Sequence, residues 1–278
     1  MRLFFLIALA MCAFAANSVL TRAAVDGAHL SPAAFAVVRV AAGATMLGAL
    51  IVWRGGALPL LRRARMAGAI SLTAYMVGFS LAYVTLDAGL GALILFGVTQ
   101  ITMFGHGAVT GQPPGSRQIA GAVVAFGGLV LVLWPTDGSM TDPVGAALMV
   151  LAGVGWAAYT IAGRGAADPL AATGANFILC LPLLLAVFLM TGIGTEGDAL
   201  GIALAVLSGA LTSGLGYALW YSVLPRMRSA TAAVVQLSVP VLAITAGAVL
   251  LGEVVEPVVM LAAALVVGGI GWAVTARR

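Results

Sequence analysis

The chain has 278 residues, of which 62% are hydrophobic and only 8% charged, with a formal net charge of +4 and a mean hydropathy of +1.14. Water-soluble domains carry about 25% charged residues, so that class is excluded, and long apolar runs along the whole chain also exclude a β-barrel of short alternating strands. Apart from Arg39, the basic residues, all arginines, sit at the ends of apolar runs rather than on one basic face, which gives no argument for nucleic acid.

In chain order, ten apolar spans of about 18–25 residues are predicted: roughly 3–21, 31–53, 66–86, 89–109, 117–134, 143–163, 170–191, 199–224, 229–251 and 255–275. The links are short and hold turn formers, such as Gly55-Gly56 and Gly111-Gln112-Pro113-Pro114. The first span resembles a signal peptide, with Arg2 ahead of an apolar core and small residues at 13–16. It is kept as a mature helix because it has an internal counterpart. Cys12 and Cys180 fall inside apolar spans and read as small buried side chains.

Charge orients the spans. With the N-terminus inside, the inner links hold Arg2, Arg54, Arg62, Arg63, Arg65, Arg117, Arg164, Arg226, Arg228, Arg277 and Arg278, and the outer links hold only Arg22. Asp168 alone among the acids falls inside. The positive-inside rule therefore predicts cytoplasmic N- and C-termini.

The chain also repeats. Phe14-Ala15-Ala16 with Arg22 matches Trp156-Ala157-Ala158 with Arg164, and Phe79, Tyr83 and Leu86 match Tyr217, Tyr221 and Leu224. Two units follow, 1–137 and 138–278, each of five spans. An odd number of crossings inverts one unit against the other, the usual build of a secondary transporter with its solute site between the halves. The expected fold is thus an all-α integral membrane protein, with ten transmembrane helices as two inverted five-helix repeats around a central cavity.

These features resemble the drug/metabolite transporter superfamily, in its ten-helix EamA-type branch. The resemblance rests on the doubled unit and on the end of each unit's fourth helix, where the family shows Pro, then small and apolar residues, then Gly-Glu. The second unit keeps Pro240 and Gly252-Glu253, whereas the first has Gly111-Gln112. Gly155-Trp156-Ala157-Ala158-Tyr159 and Tyr217-Ala218-Leu219-Trp220 are similar to family segments too. The resemblance implies a multi-pass carrier in the bacterial inner membrane that exports amino acids, most like the aromatic amino-acid exporters. Export of cationic amphiphilic drugs is the alternative, and an integral membrane enzyme a remote one. Ten helices with their own cavity suffice as a monomer. The partners implied are a small-molecule solute and the lipid bilayer.

No catalytic, metal-ligating or nucleotide-binding motif accompanies these spans, and no cofactor is expected. The expected solute-binding residues are polar and aromatic: Tyr75, Phe79, Gln100, Trp156, Tyr159, Tyr217 and Gln236. Aromatic side chains at spacings of four share a helix face and stack on aromatic or cationic solutes. Mid-membrane amides need partners, and a solute head group or another helix supplies them. Tyr83, Trp220 and Tyr221 are divided between cavity and interface belt, whereas Trp53, Trp134 and Trp272 are assigned to the belt. Asn17 and Asn176 rank lower, and His106 reads as a neutral hydrogen-bonding residue ahead of a proton site. Arg39, the one charge well inside a span, is given a structural or gating role ahead of solute contact. Pro240 predicts a bend in the ninth span.

Overall fold

The computed structural model describes residues 2–110, 115–134, 141–163, 166–191, 194, 196–223, 226 and 235–274. The expectations for Gly111, Gln112, Arg164, Leu224, the Tyr221 side chain and the start of the ninth span at Ser229 lie outside the described residues.

Several helices start where the sequence supplies a cap. Ser31 Oγ accepts from Ala34 N at 3.3 Å, Asp142 from Gly145 N at 2.7 Å and Asp168 from Ala171 N at 3.1 Å. Proline follows each cap, pre-set for the first helical turn. The helices are α1 (Arg2–Asp26), α2 (Pro32–Trp53), α3 (Arg63–Ala82), α4 (Ala88–Val109), α5 (Ser116–Leu133), α6 (Pro143–Gly163) and α7 (Pro169–Thr191). Then α8 (Ala199–Leu207) runs through a wide π-type stretch, Ser208–Leu215, into α9 (Gly216–Val223). Next come α10 (Ser238–Ala246), with a second π-type stretch at Gly247–Leu251, and α11 (Pro257–Val274).

The described residues are all-helical, and six helices are long and apolar enough to cross a membrane: α1, α2, α4, α6, α7 and the run from Ala199. Helices α5, α11 and the run from Ser238 are apolar but shorter. α3 misses that set because Arg63 and Arg65 open it. Large apolar side chains such as Phe4, Val52, Leu189 and Val249 cover the exterior, as lipid contact requires. Pro240 sits at the third position of α10, just after the chain breaks at Leu237. The proline therefore marks an interruption rather than a mid-helix bend, because the first turn of a helix tolerates a missing N–H.

The main packing pairs join α3 with α6, α2 with α7, α2 with the Ser208–Leu215 stretch, α4 with α10 and α5 with α11. Small residues permit it. A Cβ at Gly155 would meet Tyr75 N at 2.8 Å, and one at Gly153 would meet Val98 Cβ at 2.8 Å. α6 is therefore wedged between α3 and α4, and Trp156 is set beside Tyr75. Described residues of the links after α1, α3, α5 and α7 gather at one end. There Leu30 pairs with Gly197, His29 Nδ1 lies 2.8 Å from Asp198 Oδ2, and Thr85 donates to Asp142 at 2.8 Å.

Candidate functional site

The inner face of α3 organises the site. Arg65, Gly68, Leu72, Tyr75, Phe79 and Tyr83 recur at helical spacing along it, and all are buried. Tyr75 and Phe79 stand 5.1 Å apart between ring centroids, Tyr75 and Trp156 5.1 Å, and Trp156 and Tyr217 5.0 Å. Tyr159 stacks on Trp156 at 5.5 Å, only 25° from parallel. Five of the expected solute residues, Tyr75, Phe79, Trp156, Tyr159 and Tyr217, thus form one aromatic cluster.

Phe14 of α1 completes it, meeting Trp156 at 6.1 Å, Tyr217 at 5.7 Å and Trp220 at 5.9 Å, edge to face. The sequence reading used Phe14 only as the repeat counterpart of Trp156, and that correspondence was the signal that pointed to it. Tyr83 and Trp220 are interior residues rather than belt residues, at 0% and 3% exposure. Trp53, Trp134 and Trp272 are exposed. The rings close on one another and leave about 10 Å³ between them, roughly what one water needs. A larger cavity of about 370 Å³ opens between α4, α5 and α6. Its lining, including Val98, Ile101, Phe126 and Leu129, holds no charge, so it offers little to recognise a polar solute.

Arg39 lies against this cluster and is fully buried. Its Nε donates to Ser213 Oγ at 3.0 Å and its Nη2 to Tyr75 Oη at 3.1 Å. The guanidinium carbon stands 4.9 Å over the Phe79 ring and 5.6 Å over Tyr75. Nη1 has no hydrogen-bond partner, and neither does the nearby Trp156 Nε1. Among the described residues no carboxylate forms an ion pair with Arg39; the recorded pairs belong to Arg22 and His29. An ionised group without a counter-charge is costly to bury, and fixed hydroxyls and π faces offset only part of that cost. Asn17 anchors the other side of the network, where its Oδ1 accepts from Ser208 at 2.9 Å, from Thr212, and from Ser213 at 3.2 Å. The π-type stretch carries all three donors, and such widened turns recur at functional sites.

Gln100 and Gln236 are buried at 2% and 7% exposure, but neither lines the small central space. Gln236 is engaged within the protein, whereas Gln100 Nε2 has no partner.

A second group of charges closes the end of the molecule beyond Tyr83. Glu253 Oε1 accepts from Ala88 N at 2.7 Å and caps α4, for which Asp87 makes no cap bond. Gly252 makes this possible: its φ of +69° favours glycine and turns the chain so that Glu253 lies back over Gly247. Arg22 ties the group together through Asp26 at 3.2 Å, Asp87 at 3.4 Å and Glu253 at 3.8 Å, and donates to the Tyr83 and Val84 carbonyls. The sequence reading placed Glu253 at the outer boundary but missed this role.

Burial pushes the Glu253 and Asp87 carboxyls above their ordinary pKa values, against the opposing pull of Arg22. Both hold a proton more readily in the closed cluster than in water. The closed arrangement is therefore favoured at low pH and loses that advantage as pH rises through the raised values. Glu253→Gln keeps the cap acceptor and removes the titration. As pH rises from about 4 toward 8, the parent's thermal midpoint should fall relative to that of Glu253→Gln. Parallel midpoints across the range would contradict the coupling.

The second half of the chain, residues 143–275, matches the EamA-like transporter family. An uncharacterized protein of Pseudomonas aeruginosa is 44% identical over 271 residues, covering 97% of this chain and 93% of that protein. Residues 143–275 are an EamA-like transporter family domain. An uncharacterized transporter of Archaeoglobus fulgidus is 26% identical over 235 residues, 81% of this chain and 82% of that protein. A solved crystal structure at 18% identity aligns with a TM-score of 0.71 over 98% of this chain and 97% of its own, a likeness of fold. This EamA-like chain is thus a multi-pass membrane transporter for a small-molecule solute, and its aromatic cluster and Arg39 are the candidate solute site.

Proposed function

We propose that this EamA-like transporter exports amino acids, aromatic ones foremost, from the bacterial cytoplasm by alternating access. The observation that carries the reading is a fully buried arginine with no acidic partner among the described residues, set against an aromatic cluster. The buried groups without partners there, Arg39 Nη1 and Trp156 Nε1, are both donors. A solute carboxylate accepts from both, and its aromatic side chain stacks among Tyr75, Phe79, Trp156, Tyr159 and Tyr217. Arg39, first read as structural or gating, thus also becomes the head-group anchor. A cationic drug suits the site less well, because Arg39 already covers the Phe79 and Tyr75 faces that would attract it.

Ten crossings, inverted halves and cytoplasmic termini complete the proposal. The packing of α2 with α7, α4 with α10 and α5 with α11 is the pairing that two inverted halves would produce. The Arg22–Glu253 group then lies on the outer side, where its opening would release the solute. The chain works as a monomer, by uniport or exchange without ATP.

Counterflow in proteoliposomes tests this with labelled phenylalanine and tryptophan, the remaining amino acids, and phenethylamine as a carboxylate-free amine. Phenylalanine should exchange and phenethylamine should not. Trp156→Ala should reduce exchange several-fold and up to about tenfold, since an aromatic pair contributes roughly 0.5–1.5 kcal/mol, compared at matched protein abundance. The amino-acid reading fails if no amino acid moves, and strict dependence on a pH gradient excludes the uncoupled form.

A further inference from the structure

Arg65 poses a problem that the central site does not solve. It lies in the first turn of α3 and is only 5% exposed. The positive end of the helix dipole already favours an anion there, yet the chain supplies a third arginine after Arg62 and Arg63. Its Nη1 has no hydrogen-bond partner. Among the described residues no carboxylate forms an ion pair with it.

Two more buried atoms without a well-aligned hydrogen bond belong to the same neighbourhood: Tyr159 Oη, one turn before α6 ends, and Asn176 Oδ1, two turns into α7. Thr173 and Asn176 lie within hydrogen-bonding reach of the Tyr159 hydroxyl, and the charge of Arg65 acts on it. Gly68, one turn beyond Arg65 on the same face of α3, lets Asn176 approach, since a Cβ there would meet its Nδ2 at 2.7 Å. The start of α3, the end of α6 and the start of α7 thus bring one unsatisfied donor, Arg65 Nη1, beside a Tyr159 hydroxyl and an Asn176 carboxamide that interact with each other. A zwitterionic head group that displaces the Tyr159–Asn176 contact has the complementary set: a carboxylate accepts from Arg65 Nη1 and Tyr159 Oη, and an ammonium donates to Asn176 Oδ1.

We infer that Arg65, Tyr159 and Asn176 form a second solute site, which takes the amino-acid head group on the Arg62–Arg65 face before it passes to Arg39. This rests on the amino-acid reading above. Ten residues of α3 separate Arg65 from Tyr75, about 15 Å along the helix. The stack of Tyr159 on Trp156 spans the gap. The solute ring moves along that stack while its carboxylate exchanges one buried arginine for the other.

The test is phenylalanine transport in oriented proteoliposomes, with half-saturation measured from each face. Arg65→Gln should raise the value about tenfold or more at the Arg62–Arg65 face, as expected on losing a charge-assisted bond, and change it less than about twofold at the other. Tyr159→Phe should act in the same direction with a smaller effect. If Arg65→Gln does not accumulate, Arg65→Lys and Tyr159→Phe carry the test. A rise shared equally by both faces, or none at either, overturns the site. If the parent moves no amino acid, the export reading fails separately. Thermal-shift titration with phenylalanine and phenylacetate then decides: stabilisation in the parent that is lost in the Arg65 variant keeps the anion site. Stabilisation absent from the parent, or retained in the variant, overturns it.

Discussion

Arg39→Gln should accumulate as the parent does and lose apparent affinity for the exported amino acid by about 100-fold. The charge-assisted hydrogen bond from Arg39 Nη1 to the carboxylate is worth up to roughly 3 kcal/mol in this reading, and each 1.4 kcal/mol is tenfold. Folding should suffer little, because neutralising a buried charge without an acidic partner removes a desolvation cost that its hydroxyl partners offset only in part. Glutamine still donates to Ser213 or Tyr75, though not to both in the parent's geometry. Arg39→Lys should fail almost as badly, since a single ammonium cannot replace the planar fork that reaches Ser213, Tyr75 and a solute together. Parent-like transport by Arg39→Gln, at matched abundance, would remove Arg39 from the solute path.

Gly209→Val should leave little folded protein in detergent. The α2 crossing over the Ser208–Leu215 stretch is glycine on glycine. A Cβ at Gly209 would overlap the Arg39 carbonyl oxygen and lie 2.9 Å from Ala42 Cβ, and one at Gly43 would lie 2.5 Å from the Phe177 ring. Backbone atoms cannot step aside as a flexible side chain does, so the two helices must separate. Overpacking of this kind costs about 3 kcal/mol or more, and separation would also pull Arg39 from Ser213. Gly48 of the same helix is the control, because nothing lies within 4 Å of a Cβ there. Gly48→Ala should be neutral or slightly stabilising. Size-exclusion profiles and thermal midpoints of the two variants should diverge sharply; a monodisperse Gly209→Val protein would refute the close-packing account.

Much of the candidate site was legible in the sequence. Tyr75 and Phe79 share a face by spacing, and Trp156 and Tyr217 are the repeat counterparts of Phe14 and Phe79. The residues left open or passed over share one cause. Tyr83 and Trp220 lie near helix ends, where a one-dimensional reading favours the interface, yet other helices cover them. Phe14 looked like any apolar residue of an apolar span. The pairing of Glu253 with Arg22 and the α4 N-terminus spans more than 160 residues, and no local pattern encodes such a contact.

The sequence by itself determined the membrane class, the apolar helices, their capped starts and the single arginine deep within a span. Those properties follow from hydropathy, proline and charge, which act within a stretch of about twenty residues. The tertiary structure decided which face of each helix turns inward. In a helix apolar all round, lipid and protein accept the same side chains, so periodicity cannot tell them apart. Packing at Gly43, Gly153, Gly155 and Gly209 made that choice. It brought Arg39 against the rings and set Arg65 beside Tyr159 and Asn176.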